Sequence, residues 1–179
     1  MTTRTRPQAT MPPAPTLFAQ GIVAPVWTVD CWFNAPLAPT VAGLRGRVIV
    51  IEAFQMLCPA CVSHGLPQAT RVYDTFDSTD VAVVGLHTVF EHHESMGPAA
   101  LKAFLYEYRI RFPVAVDTPG GASTVPMTMA AYALEGTPTT VLVDRSGHIR
   151  AKHFGAVSDI QLGAEIATLA YKPGVPVVG

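Results

Sequence analysis

The sequence predicts an α/β fold, a central mixed β-sheet flanked by helices and covered on both faces. Three observations predict it. Two short apolar runs, VIVIEAF at Val48–Phe54 and VAVVGLH at Val81–His87, read as strands buried on both sides. Each is followed by a longer stretch with helical signals. Later, TPTTVLVD at Thr137–Asp144 and HIRAKHFG are separated only by Arg145-Ser146-Gly147, the composition of a tight turn.

The elements follow in order. Residues 1–16 are rich in proline and threonine and are expected to be a disordered tail. One domain is expected over 17–171, with 172–179 a C-terminal tail. PVWTVDCWFN (Pro25–Asn34) is aromatic and β-branched and reads as extended. PLAPTVAGLRGR is turn-rich and leads into Val48–Phe54. After the Cys58-Pro59-Ala60-Cys61 turn, a helix is expected to about Phe76, with Pro59 in its first turn, where proline is tolerated. Ser95–Pro98 carries helix-start chemistry, and Leu101, Phe104, Leu105 and Tyr108 recur at helical spacing. PVAVD reads as a short strand. Thr124–Leu134 reads as a helix whose start Pro126 weakens. Leu162, Ile166, Leu169 and Ala170 mark a closing helix.

Composition bounds the function. The chain has 179 residues, 49% hydrophobic and 14% charged, enough for a core that needs no disulfide framework. A formal charge of −1 without a basic stripe argues against nucleic acid as a partner. No stretch reaches the roughly twenty apolar residues of a membrane helix, so no membrane role is expected. Arg4 and Arg6 are followed by no apolar run, so a signal peptide is not expected. The expected compartment is the cytoplasm; export is the alternative if the start is misassigned.

There are three cysteines, Cys31, Cys58 and Cys61. Zinc usually takes four ligands, and no second CxxC is present. In a reducing compartment a cysteine pair is more often catalytic than structural. The pair stands between a buried strand and a helix. A thiol at a helix N-terminus meets free N–H groups and the positive end of the helix dipole, which favour the thiolate. Cys58 is therefore the candidate nucleophile and Cys61 the resolving thiol. A tightened buried pair or half a metal site are the other readings of the same residues.

GTPTTVLVDRSG (Gly136–Gly147), taken with CPAC and the hairpin, resembles the thioredoxin superfamily. Pro25–Asn34, LRGRVIVIEAF and Ala99–Val116 resemble the strand extension, the lead-in and the helix–strand insertion of its TlpA-like thiol–disulfide oxidoreductases. The resemblance covers roughly residues 25–170. It implies a thioredoxin-like fold with an N-terminal strand extension and a helix–strand insertion. It implies that Pro138 is a cis-proline and that the backbone of Thr137 lies beside Cys58. With Leu57 and Pro59 these residues would contact substrate. It also gives Glu52 a role. A lone carboxylate in an apolar strand is costly unless paired or neutral. At the matching position thioredoxin has an aspartate that exchanges protons with the resolving thiol, so Glu52 would be buried near Cys61 with a raised pKa. A strand-end glutamate reaching solvent or Arg47 is the simpler reading.

The chain departs from the family at three places. Leu57 stands where tryptophan is usual, and Gln55-Met56 replaces a pair of small residues, which predicts an aliphatic surface around Cys58. Pro-Ala between the cysteines lacks the histidine of strong oxidants, so no extreme oxidising potential is expected. Pro67 follows Cys58 by nine residues where eight is expected, which predicts a π-bulge or a shifted kink after Cys61.

His87, His92 and His93, with Glu91 and Glu94, lie at or after a strand's carboxyl end, where ligands of α/β sheets gather. Their spacing lacks an HExxH-type motif. His64 is expected on the helix surface and Cys31 as a small packed thiol. The expected activity is thiol–disulfide exchange, as a reductant, with no cofactor beyond a Cys58–Cys61 disulfide. Substrates would be protein or small-molecule disulfides, with an unidentified thiol or disulfide electron donor. The alternative is a copper- or zinc-handling module using the CxxC and a histidine such as His87. A peroxiredoxin-like peroxidase would resemble P-x-x-x-[TS]-x-x-C, but Ile51 and Gln55 hold the proline and hydroxyl positions. A thioredoxin-fold interaction domain with idle cysteines is the remaining reading.

Overall fold

The computed structural model describes residues 21–171. The expected tails at 1–16 and 172–179 lie outside the described residues. Among the described residues, seven strands and four α-helices follow in chain order. They are β1 (Ile22–Val23), β2 (Val29–Phe33), β3 (Val48–Phe54), α1 (Leu66–Thr75), β4 (Val81–His87), α2 (Pro98–Glu107), β5 (Val114–Asp117), α3 (Met127–Ala131), β6 (Thr139–Val143), β7 (His148–Phe154) and α4 (Asp159–Ala170). The strands form one mixed sheet of order β1-β7-β6-β3-β4-β5-β2. β3 pairs parallel with β4 and antiparallel with β6, and β4 pairs parallel with β5. This is a thioredoxin-like fold.

The central position of β3 explains its sequence. All seven residues of VIVIEAF are buried. Alternate side chains point to opposite faces, so Val48, Val50 and Phe54 join one core and Ile49, Ile51 and Ala53 the other. The first core is closed by α1, α2 and α4 through Leu66, Val72, Leu101, Leu105, Leu162 and Ile166. Each such side chain, fully buried, stabilises the fold by about 1.5–3 kcal/mol. The second face is covered by α3 and by segments that precede β3. Val41, Leu44 and the Trp27–Trp32 ring pair supply most of it, with Tyr132 after the five-residue α3.

Several boundaries differ from the sequence reading, each for a local reason. β6 begins at Thr139, after Pro138, which has no N–H to give the ladder. α3 spans only Met127–Ala131 because Pro126 is its extended N-cap residue. α2 starts within the expected Ser95–Pro98 segment, at Pro98 with Gly97 as N-cap, after a short 3₁₀ turn at His93–Ser95. β1, unforeseen, pairs with the outer edge of β7. Among the described residues no helix is long and apolar enough to cross a membrane.

Candidate active site

The chain leaves β3 at Phe54 and turns into the helix that holds the cysteines. Helical residues run from Pro59 through Thr75, with a π-helical segment at Cys61–Gly65. The Leu66 N–H donates to the Cys61 carbonyl, five residues back, which is the π pattern. This segment takes up the extra residue between Cys58 and Pro67 that the sequence spacing predicted.

Cys58 is the residue before the first helical turn. Its sulfur accepts from the Cys61 N–H at 3.2 Å, as an N-cap side chain does. The same sulfur lies 3.6 Å from the Thr137 carbonyl, to which the thiol donates. Thr137–Pro138 is cis. The structure thus brings together Cys58 and Thr137, 79 residues apart. Cys58 is half-buried, Leu57 and Pro59 beside it are exposed, and Cys61 is fully buried.

Burial separates the two thiols chemically. It pushes Cys61 up to about 12, and the neighbouring Cys58 sulfur adds to the rise. Such a thiol does not ionise unaided near neutral pH. Glu52 lies in the adjoining strand, 1% exposed, and burial raises it from 4.5 to about 7 against the opposing hydrogen bond of Thr140. Thr140 Oγ1 donates to Glu52 Oε2 at 2.8 Å, while Oε1 has no partner and faces Gly65 of the π segment. A carboxyl near pH 7 exists in both protonation states, the condition for an acid–base group. The solvent-reaching reading of Glu52, with Arg47 as partner, is overturned. Arg47 reaches the Ser78 carbonyl instead.

Other expectations change. Gln55 and Met56 are buried, so of the replaced residues only Leu57 faces outward. Gln55 ties the cysteine loop to the next one. Its backbone carbonyl accepts from Cys58 N–H at 3.3 Å, and its side chain bonds Phe90 N–H and Glu91. The histidines do not assemble. His87 is fully buried against Phe54, neither ring nitrogen has a partner, and burial lowers it to about 4. His92 and His93 are exposed on the loop beyond. Among the described residues no group of three or more His, Cys, Asp or Glu could hold a metal. His64 is half-buried, not on the surface, with Nε2 3.2 Å from the Val157 carbonyl. Cys31 is half-buried on the edge strand β2, its pKa raised by burial and by Asp30.

Sequence reasoning missed Gly65, Thr140 and Phe154. A glycine inside a helical stretch signals close approach of another group, and here that group is Glu52. Thr140 carried no signal of its own, because its partner is set by strand register. Phe154 is 58% exposed and lies against Gly136, next to Thr137.

The AhpC/TSA family model matches residues 38–152, which hold both cysteines, Glu52 and the cis turn. A solved thioredoxin-like superfamily protein is 57% identical over 86% of this chain and 99% of its own, with a TM-score of 0.82. A thiol-disulfide isomerase from Corynebacterium glutamicum is 48% identical over 83% and 97%, with a TM-score of 0.79. Among curated proteins, the thiol-disulfide oxidoreductase ResA of Bacillus cereus is 24% identical over 66% of this chain and 61% of its own. ResA of Halalkalibacterium halodurans is 21% identical over 65% and 58%. The chain therefore spans less than two thirds of the length of these curated relatives.

Proposed function

The chain belongs to the AhpC/TSA family and is thioredoxin-like, and on that premise we propose that it is a thiol–disulfide oxidoreductase acting as a reductant through Cys58 and Cys61. One observation carries the reading. A half-exposed sulfur accepts a helix N-terminal N–H, its partner thiol is buried, and a carboxyl that burial pushes up to about 7 faces Gly65 of the same π segment.

The steps follow from these positions. The Cys58 thiolate attacks a substrate disulfide, and one substrate sulfur leaves as a thiolate. Cys61 gives its proton to Glu52 and attacks the Cys58 sulfur. The Cys58–Cys61 bond forms, the mixed disulfide breaks and the second substrate sulfur leaves. An extended substrate lies along Thr137 and Pro138, between Leu57 and Pro59. Names of the relatives as oxidoreductase and isomerase support the reaction class. The absence of a histidine between the cysteines supports the reducing direction.

Insulin reduction in dithiothreitol is the test. The wild-type chain should accelerate insulin precipitation and Cys58→Ser should not. Equal rates for the two would end the proposal. A Cys58–Cys61 potential near the −270 mV of thioredoxin supports the reductant, and one near −120 mV would reverse the direction. Hydrogen peroxide consumption without insulin reduction would move the chain to the peroxidase reading.

A further inference from the structure

Polar residues stand side by side on three adjacent strands. Glu52 on β3 is in register with Thr140 on β6, and Thr140 with His153 on β7. Residues paired in this way point to the same face of a sheet. It is the face under α1 and α4, because Val50, Leu142 and Ala151, two residues from each, pack with Leu66, Leu162 and Ile166. Glu165 of α4 meets the end of the row. His153 Nε2 lies 2.6 Å from Glu165 Oε2, and Gln161 Nε2 donates to Oε1 at 3.1 Å. The Glu165 side chain is fully enclosed, whereas 17% of that of His153 is exposed.

Two facts need an explanation. A core face built from Val, Leu and Ile carries a line of groups that can hold or pass a proton. The 2.6 Å contact must itself contain a proton, since two bare acceptors at that distance repel. We propose that Thr140, His153 and Glu165 form a proton path joining Glu52 to solvent.

The path rests on the reading of Glu52 as proton acceptor for Cys61. Once Cys61 has been deprotonated, Glu52 holds a proton and has almost no contact with water. Thr140 now donates to Glu52 Oε2. A protonated Glu52 reverses that bond, and the hydroxyl passes its own hydrogen toward the His153 ring. His153 takes this proton at Nδ1 while Nε2 keeps the proton it shares with Glu165, and Nδ1 then releases one to water at the exposed side of the ring. The route runs backward when the disulfide is reduced again and Cys61 needs a proton. Cross-strand neighbours have Cβ atoms about 4.5–5.5 Å apart. That gap between Thr140 and His153 suits a hydroxyl–imidazole bond or one bridging water. His153 and Glu165 act through Glu52 and are positioning residues.

Few charged groups surround the path. Glu52 meets Gly65 on one side, with Gly85 of β4 and Thr140 of β6 beside it in register. On the π segment the titratable residues are Cys61 and His64, and His64 is turned to the Val157 carbonyl. Around His153 stand Glu165 and Gln161 from α4 and Thr140 from β6.

The test is the rate of mixed-disulfide resolution in the full chain, followed between about pH 5 and pH 9. His153→Gln and Thr140→Val should slow it roughly tenfold, less than loss of a direct proton-transfer group, and shift its pH midpoint. Thr140→Ser, which keeps the hydroxyl, should restore the wild-type profile. If His153→Gln and Thr140→Val keep the wild-type rate and profile while Glu52→Gln loses both, the path is wrong and the role of Glu52 stands. If Glu52→Gln also changes nothing, that role fails first. Lower thermal stability of His153→Gln with an unchanged pH profile would make the pair a pin between β7 and α4, and overturn the path. Should His153→Gln not fold, the Val and Ser variants of Thr140 decide.

Discussion

Oε1 of Glu52 lies so close to the backbone of Gly65 that a Cβ on residue 65 would overlap it. The relationship explains a glycine where a helix would favour alanine. Glycine inside a helix costs about 0.5–1 kcal/mol relative to alanine, and here the missing side chain makes room for a carboxyl. Gly65→Ala should therefore destabilise the protein, by about 1–3 kcal/mol for overpacking, in spite of its better helix propensity. Chemical denaturation measures it. The penalty should shrink when Glu52→Ala is added. A gain in stability in the wild-type background would mean that the carboxyl does not hold this position.

Cys58 and Cys61 should differ sharply toward an alkylating reagent. Cys58 is partly open and its sulfur accepts the Cys61 N–H, while Cys61 is enclosed with its pKa pushed up to about 12. Iodoacetamide at neutral pH should label Cys58 at least about tenfold faster in the reduced chain. Peptide mapping by mass spectrometry reads the ratio. Equal labelling would remove the division into attacking and resolving thiols.

Two buried groups should oppose each other in the pH dependence of stability. Glu52 rises from 4.5 to about 7, so the folded state holds a proton that the unfolded state lacks, and stability falls as pH rises through this window. His87 falls from 6.5 to about 4, so the unfolded state takes the proton, and stability falls as pH drops through that window. Between about pH 5 and 6 the slopes cancel. Glu52→Gln should unmask the acid lability of His87, roughly 2 kcal/mol lost by pH 5. His87→Leu should unmask the opposite slope. Urea titrations at several pH values separate the cases, and two variants as flat as the wild type would contradict the burial of both groups.

Asp117 should matter more than its place at a strand end suggests. Its carboxylate accepts the N–H groups of Thr128 and Met129 at 2.8 and 2.9 Å, closing the start of α3. Asp117→Ala should cost about 1–2 kcal/mol. Loss of less than a few tenths, by thermal denaturation, would show that the cap adds nothing.

Much of this molecule was readable before its structure. β3 and β4 were legible to the residue, because strands buried on both faces are continuous apolar runs. The extra residue before Pro67 was legible as a count, and the π segment follows it. The helix at Thr124–Leu134 was overread, since the extended Pro126 delays its start and Ala133, at a φ of 47°, closes it early. Gln55 was legible only as a departure beside Cys58, because its role as a buried tie between two loops depends on a partner at Phe90.

By itself the sequence determined the alternation of strands and helices, the cysteine pair and its helix, and the odd carboxylate within an apolar strand. These depend on composition and short-range periodicity, which a chain carries locally. Only the tertiary structure decided that Glu52 faces Gly65 and Thr140 and that His87 is withdrawn from His92 and His93. Those relations join residues up to 88 positions apart, as Glu52 and Thr140 are. Strand register and burial create them, and a one-residue slip in register would turn each side chain to the opposite face.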